Sequence, residues 1–286
     1  MRTAKKSSSA AGGDAFDYEP KRLHELWDRL HHGDLEPWPE ARSLTRLAAK
    51  EQAFSDWLQA AGGAAAAAQG LQGAWREFHA GHFPEAIKHG AALGALGAVI
   101  ASKAAAIHSL NSRRGTTQRL EVLEAASERA EAAVAQLPEH ANAHYTLALV
   151  LGRYSQDISI IKAVAAGLAS RVKLHLERTL ALEPRHAEGH VALGLYHAEL
   201  IGKLGGLTAA LTYGASKDKA FEHFKRALKL APASPIVHIE YANGLLLLDP
   251  THGRKQAEEL YAEAAALKPI DAMERLDVER AQRGPQ

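Results

Sequence analysis

The 286-residue sequence contains no cysteine. Disulfides, thiolate zinc sites, iron–sulfur clusters, a cysteine nucleophile and a cysteine-borne lipid anchor are therefore excluded together. Aromatic residues make up only 6%, and β-branched residues are also few, so the residue types that favour sheets are scarce. Neither sign of charge is in excess: 34 Lys and Arg face 33 Asp and Glu, a formal net charge of +1. The basic footprint of a nucleic-acid binder is missing. Long apolar runs are missing too. The least polar stretch, the twelve residues GAALGALGAVIA from Gly90 to Ala101, ends at Ser102 and Lys103, well short of the about 20 that span a membrane as a helix. The opening MRTAKKSSSAAGGDAFDYEP has two lysines with no apolar core behind them, which is not the pattern of a secretory signal. The expectation is a soluble, cytoplasmic protein of bacterial type.

What is abundant is alanine and leucine. An apolar fraction of 47% supplies ample core, and these residue types favour helix. Residues 1–19 read as a disordered tail of Ser, Ala, Gly and Lys. PKRLHELWDRLHH follows, with Leu23, Leu26, Trp27 and Leu30 on one side of a short amphipathic helix. A second helix, about 39 to 60, carries Leu44, Leu47, Phe54 and Leu58 before Gly62 and Gly63 end it. Residues 20–63 are expected to pack on a larger helical domain spanning 64–286.

That domain repeats internally. LALEPRHAEGHVALGLYH recurs as VAQLPEHANAHYTLALVLG and as LKLAPASPIVHIEYANGLLL, each with a proline (Pro138, Pro184 or Pro232), a short turn, and a helix opening with a histidine (His144, His190 or His238). Before the prolines, Val172/Leu176/Thr179, Ala220/Phe224/Ala227 and Ala257/Tyr261/Ala264 share offsets of four and three. This is the tetratricopeptide pattern of antiparallel helix pairs, W-x2-L-G-x2-Y, then A-x3-F, then P, with His190 and His197 in the Trp and Tyr places. The expected fold is all-α, a right-handed solenoid of about five such pairs near 64–94, 97–136, 141–183, 187–231 and 235–268. DAMERLDVERAQR would add a C-terminal capping helix. From His144 to Pro184 are 40 residues and from His190 to Pro232 are 42, where a 34-residue repeat leaves 28. So about 12 and 14 extra residues sit inside the third and fourth pairs, including RYSQDISIIKAV and LIGKLGGLTAALTYGASKDK. Such insertions fall on one face of a solenoid, often the binding face.

GRYSQDISIIKAVAAGLASRVKLHLERTLALEPRHAEGHVALGLYHAEL and the following GLTAALTYGASKDKAFEHFKRALKLAP resemble the tetratricopeptide domain of the regulator of microtubule dynamics family. They are also similar to bacterial tetratricopeptide proteins associated with TRAP-type transporters. The resemblance covers about residues 70 to 270 and implies an all-α repeat domain that binds partners and is not an enzyme. The membrane-anchoring segment of the animal proteins and the lipid-anchor cysteine of an exported transporter partner are absent from this sequence, so neither specific role is carried over.

The histidines are the first candidates for chemistry. His140/His144 and His186/His190 are both H-x3-H, 46 residues apart, and helical i, i+4 histidines can chelate zinc. No H-E-x-x-H accompanies them, and a slot recurring once per repeat is explained by packing. His197, beside the insertion, is the one expected to face a ligand. Arg153 and Asp157, with Tyr154, could recognise a carboxylate or a peptide backbone, or form an exposed ion pair. Glu240 and Asn243 are polar in a first helix that lines the concave face, where an asparagine can hold a peptide main chain. Tyr145 belongs to the same set of first-helix residues. The Gly-rich 205–219 loop lacks the phosphate-loop spacing, though Tyr213 could contact a ligand. Gly90, Gly94 and Gly97 suggest close helix packing with a turn between.

The expected function is a non-enzymatic scaffold that binds a protein or peptide through Tyr145, Arg153, Asp157, His197, Tyr213, Glu240 and Asn243. No catalytic residue, cofactor or metal is expected. The alternative is a small-molecule or metal-binding module, possibly hydrolytic, using His190, His197 and the inserted loops.

Overall fold

The computed structural model describes residues 16–50, 52–111 and 115–285. Of the tail expected over 1–19, residues 1–15 lie outside the described residues. Among the described residues there are sixteen helices and no strand.

The N-terminal part holds α1 (Pro20–Leu30), α2 (Ala41–Ala48) and α3 (Gln52–Ala60). The single helix expected over 39–60 is thus two. Lys50 turns its amide back to the Leu47 carbonyl, and α2 and α3 pack on each other as well as on α4 (Ala64–Ala80). A straight helix of that length would extend about 33 Å, too far for both halves to cover α4.

The helix pairs then follow in order. First comes α4 with α5 (Phe83–Ala91), and next α6 (Gly94–Asn111) with α7 (Thr116–Gln136). The third pair is α8 (Ala141–Asp157) with the inserted α9 (Ile160–Ala165) and α10 (Leu168–Leu182). The fourth is α11 (Ala187–Leu204) with the inserted α12 (Gly206–Tyr213) and α13 (Lys217–Leu230). The last is α14 (Pro235–Leu248) with α15 (Arg254–Ala266), followed by α16 (Ala272–Arg283). The three prolines stand at identical turns, where the amides of His140, His186 and Ser234 return to the carbonyls of Leu137, Glu183 and Ala231 at 3.0–3.1 Å. Proline has no N–H to continue a helix, so each one marks a stop.

Phe224 shows why the repeat pattern works. Its ring is fully buried between α11 and α14 and stacks on Tyr241 at 5.0 Å. A Cβ on Gly194 would stand 2.7 Å from that ring, and one on Gly244 would overlap it. Both first helices can close on the ring only where they lack a side chain. Gly90 and Gly97 do the same for α5 against α6, each backbone occupying the place of the other's missing Cβ.

The repeated histidines form a recurring contact. His144 Nε2 lies 3.0 Å from the Pro138 carbonyl, and His190 Nε2 lies 3.1 Å from that of Pro184. A carbonyl only accepts, so each Nε2 carries the proton. Each Nδ1 is then bare, and accepts from the Nδ1–H of His175 or His223, both at 2.9 Å. His238 departs from this: its Nδ1 donates to the Ser234 carbonyl at 2.9 Å.

Two elements fill the concave side. α16 packs on α14 and α15 and reaches α4, and Tyr18 donates its hydroxyl to the Ile270 carbonyl at 2.6 Å. The expected capping helix is therefore also an inner wall. From the other end, the α1–α2 connection drops onto α6, α8 and α11. Glu188 N–H donates to the Gly33 carbonyl and Asn142 Nδ2 to the Asp34 carbonyl, both at 2.9 Å. Leu35, between the anchored Asp34 and Glu36, has φ +51°, a left-handed conformation that costs a side-chain-bearing residue about 1–3 kcal/mol.

Candidate functional site

The concave faces of α6, α8, α11 and α14, with α16 opposite and the insertions at the mouth, enclose a groove of about 320 Å³. That volume lies at the small end of the range of small-ligand clefts. Its walls are mainly aliphatic. Ile107, Leu149, Leu195 and Leu276 come from four different helices, and Ile160 and Val164 from α9. Two polar clusters interrupt them.

One cluster is on the wall. Glu240 is buried, and Arg280 from α16 meets it at 3.1 Å while Arg153 from α8 approaches to 3.9 Å. Asn243 Nδ2 donates to Glu240 at 2.9 Å, and Tyr261 donates to Asn243 Oδ1 at 2.6 Å. Burial pushes the Glu240 carboxyl up, but the Arg280 and Arg153 guanidiniums overcome it and hold it below its ordinary value. Asp277, the next carboxyl along, is pushed well up by burial against a weaker pull from Arg280.

The second cluster forms the floor. Lys103 Nζ reaches Asp34 at 2.5 Å and Glu188 at 3.1 Å, and all three are buried. Burial opposes the ammonium charge, yet Asp34 and Glu188 hold it above its ordinary value. Burial also raises Glu188, only partly offset by Lys103. Glu36 is raised to about 8 by burial and by Asp34, and accepts from Asn142 at 2.7 Å. Asn142 Oδ1 in turn accepts from His186 Nε2 at 2.8 Å, while His186 Nδ1 caps α11 by accepting from Gly189 N–H.

A chain of buried contacts extends from the floor. Asp34 touches His31 at 2.9 Å, His31 touches His79 at 3.2 Å, and His79 touches Asp271 at 2.8 Å. This carboxylate–His–His–carboxylate chain is buried throughout. It ties α1, α4 and the start of α16 together.

Of the residues expected to form a binding site, Tyr145, Arg153, Tyr213 and Glu240 line the groove. Tyr145 lies under Lys103, whose Nζ is 5.7 Å from the ring centroid. Asn243 stands behind Glu240 and positions it. Asp157 is turned aside into a separate depression, where Arg119 grips it at 2.6 and 3.1 Å. His197 is buried between α11 and α13 and stacks on His223 at 6.2 Å, with no hydrogen-bond partner at Nδ1 among the described residues. His190 faces the same His223. Neither lines the groove, and among the described residues no three metal-ligating side chains could hold an ion.

Sequence reasoning did not find Lys103, Asp34, Glu188 or Arg280. A signal existed for Lys103, a lone cation deep in a small and apolar run. A second existed in Met273 and Leu276, an apolar pair on a helix otherwise rich in charge.

Residues 98–282, from within α6 into α16, match the family described as Regulator of microtubule dynamics protein 1-3. No curated protein matches the chain significantly. Among solved structures, TTC0263, a thermophilic TPR protein of Thermus thermophilus, is similar with a TM-score of 0.54 and 18% identity, covering 76% of this chain and 99% of that one. This likeness is one of fold.

Proposed function

The chain belongs to the regulator of microtubule dynamics family, and from that premise we propose that it is a non-enzymatic adaptor whose groove holds an apolar segment of a protein partner. The observation that carries this is the composition of the groove: aliphatic walls contributed by successive first helices and α10, with a charged cluster of Arg153, Arg280 and Asp277 around the buried Glu240 on one wall. Successive helical repeats present a continuous concave surface, and a segment with spaced apolar side chains fits such walls as a helix fits a groove. Arg153 and Arg280 leave guanidinium donors beyond those that meet Glu240, so an acidic or amidated position in the partner segment would be selected there. Tyr145 and Tyr213 complete the contact surface.

The test is selection from a displayed peptide library on the purified full chain, followed by titration of the enriched peptides. Peptides with spaced apolar residues and a carboxylate are expected. Ala192→Trp, which fills the groove, should weaken their binding at least about tenfold, the cost of losing a single buried anchor. Arg153→Glu should abolish the carboxylate preference. Enrichment no better than a scrambled library, or binding untouched by Ala192→Trp, would overturn the reading.

A further inference from the structure

The two insertions carry a surface of their own. α9 buries none of its residues, and Ile160, Ile161 and Val164 are 48%, 78% and 55% exposed. α12 contains no charged residue, and its Leu207 and Leu211 are 76% and 80% exposed. Of the eight large apolar side chains exposed among the described residues, five lie on these two short helices. Scattered exposed leucines need no explanation, but a concentration of this kind marks an interaction surface. The helices share one edge of the molecule. α9 packs on α10, Lys173 of α10 donates to the Tyr213 carbonyl at the end of α12 at 3.2 Å, and both insertions border the groove mouth.

The inserted stretches themselves carry charge of one sign, with Asp157, Glu177, Glu199 and Asp218 at their borders. Residues 158–176 contain Lys162, Arg171 and Lys173 and no carboxylate, and residues 200–217 contain Lys203 and Lys217 and no carboxylate. These are five cations in a chain whose net charge is +1. Arg171, Lys173 and Lys203 meet Glu131, Glu177 and Glu199 of helices outside the insertions. Lys162 is exposed next to Ile161, and Lys217, also exposed, opens α13 with Asp218 after it. Trp and Phe are absent from both segments and Tyr213 is their one aromatic anchor, where protein–protein contacts draw most of their energy from such anchors. Aliphatic side chains on short helices, flanked by lysines and free of acids, match the boundary between headgroups and acyl chains of an anionic bilayer.

We propose that the α9 and α12 insertions dock the protein on an anionic lipid surface, with Ile161, Val164, Leu207 and Leu211 entering the bilayer boundary and the lysines meeting the headgroups. Docking this way turns the groove mouth toward the bilayer.

Flotation of the full chain with vesicles of phosphatidylcholine alone, or with a third phosphatidylserine, tests the proposal. Binding is expected only with the anionic vesicles and should weaken as salt rises. Leu207→Asp with Leu211→Asp, or Ile161→Asp with Val164→Asp, should each reduce it about tenfold or more, and Lys162→Glu with Lys217→Glu should remove the preference for anionic lipid. All six positions are exposed, so unchanged helicity and melting would confirm that the variants fold. Ala192→Trp should retain vesicle binding, which separates this proposal from the reading of the groove. Absence of binding to anionic vesicles, or binding equal in the aspartate variants, would overturn it. So would a dimer detected by light scattering that the same substitutions dissociate while vesicles stay unbound, since the patch would then join two copies. Loss of library-selected peptides in the aspartate variants, again without vesicle binding, would assign the patch to the protein partner.

Discussion

Replacing Lys103 with methionine keeps most of the side-chain volume and removes the cation from the groove floor. Asp34 and Glu188, both buried, then face each other without it. Breaking a buried ion pair by deleting one partner costs about 3–5 kcal/mol, because the remaining charge is uncompensated. The loss should depend on pH. In the unaltered protein Lys103 holds Asp34 well below the ordinary carboxylate range against the effect of burial. Without the cation, burial dominates and raises both carboxyls in the folded state. The folded chain then binds protons that the unfolded chain has released, so the variant is most stable at low pH and loses stability as pH rises past about 4.5. Each affected group contributes about 1.4 kcal/mol per pH unit. The deficit measured at about pH 7.5 should therefore shrink by about 2–3 kcal/mol at about pH 5.5 if one carboxyl responds. Denaturant unfolding followed by far-UV circular dichroism, at both pH values, reads this directly. Adding Asp34→Asn should recover part of the loss and flatten the pH dependence. A deficit under about 1 kcal/mol at both pH values would mean that the trio behaves as a surface ion pair, and would refute the assignment of a buried floor.

Phe224→Ala should cost about 3–5 kcal/mol, since the ring is fully buried, and Gly244→Ala should also destabilise by forcing α14 away from that ring, both visible as lowered unfolding midpoints. Burial lowers His31 and His140 to about 4 and His186 to about 3. Each therefore contributes stability that is complete above the ordinary histidine value of about 6.5 and is lost as pH falls toward the folded value. Imidazole NMR should find these three rings neutral at about pH 5, and a ring titrating near 6.5 would contradict its burial. The same spectra should show His144 and His190 as Nε2–H tautomers, as their proline-carbonyl contacts require. The buried contact of His79 with Asp271 should yield a solvent-protected, strongly downfield imidazole proton that disappears in His79→Gln.

The helix pairs were legible because tetratricopeptide packing is periodic. Pro138, Pro184 and Pro232 mark its turns, and His144, His190 and His238 each follow six residues later. The two insertions were legible from the same periodicity, as departures from the expected spacing. His144 and His190 were readable as packing residues for that reason, but the histidine that each one meets was not. His175 and His223 lie outside the signature, and only the antiparallel pairing of helices brings them into contact.

The floor of the groove illustrates what periodicity cannot carry. Asp34, Lys103 and Glu188 are separated by 69 and 85 residues, and nothing in the local sequence of one specifies another. Their meeting depends on how far the superhelix curves, which brings a connection near the beginning of the chain onto first helices from later pairs. The curvature is itself a sum of small contacts at every pair. The same curvature carries α16 back to α4, and so places Arg280 across from Arg153 on either side of Glu240. A single lysine in an alanine-rich helix, with no partner within a helical turn, is therefore the informative kind of anomaly in a repeat protein. Local rules predict that it should be exposed, and its burial requires a carboxylate delivered by the tertiary fold. The site is polar where the two ends of the chain fold inward and apolar where the repeats alone form the walls.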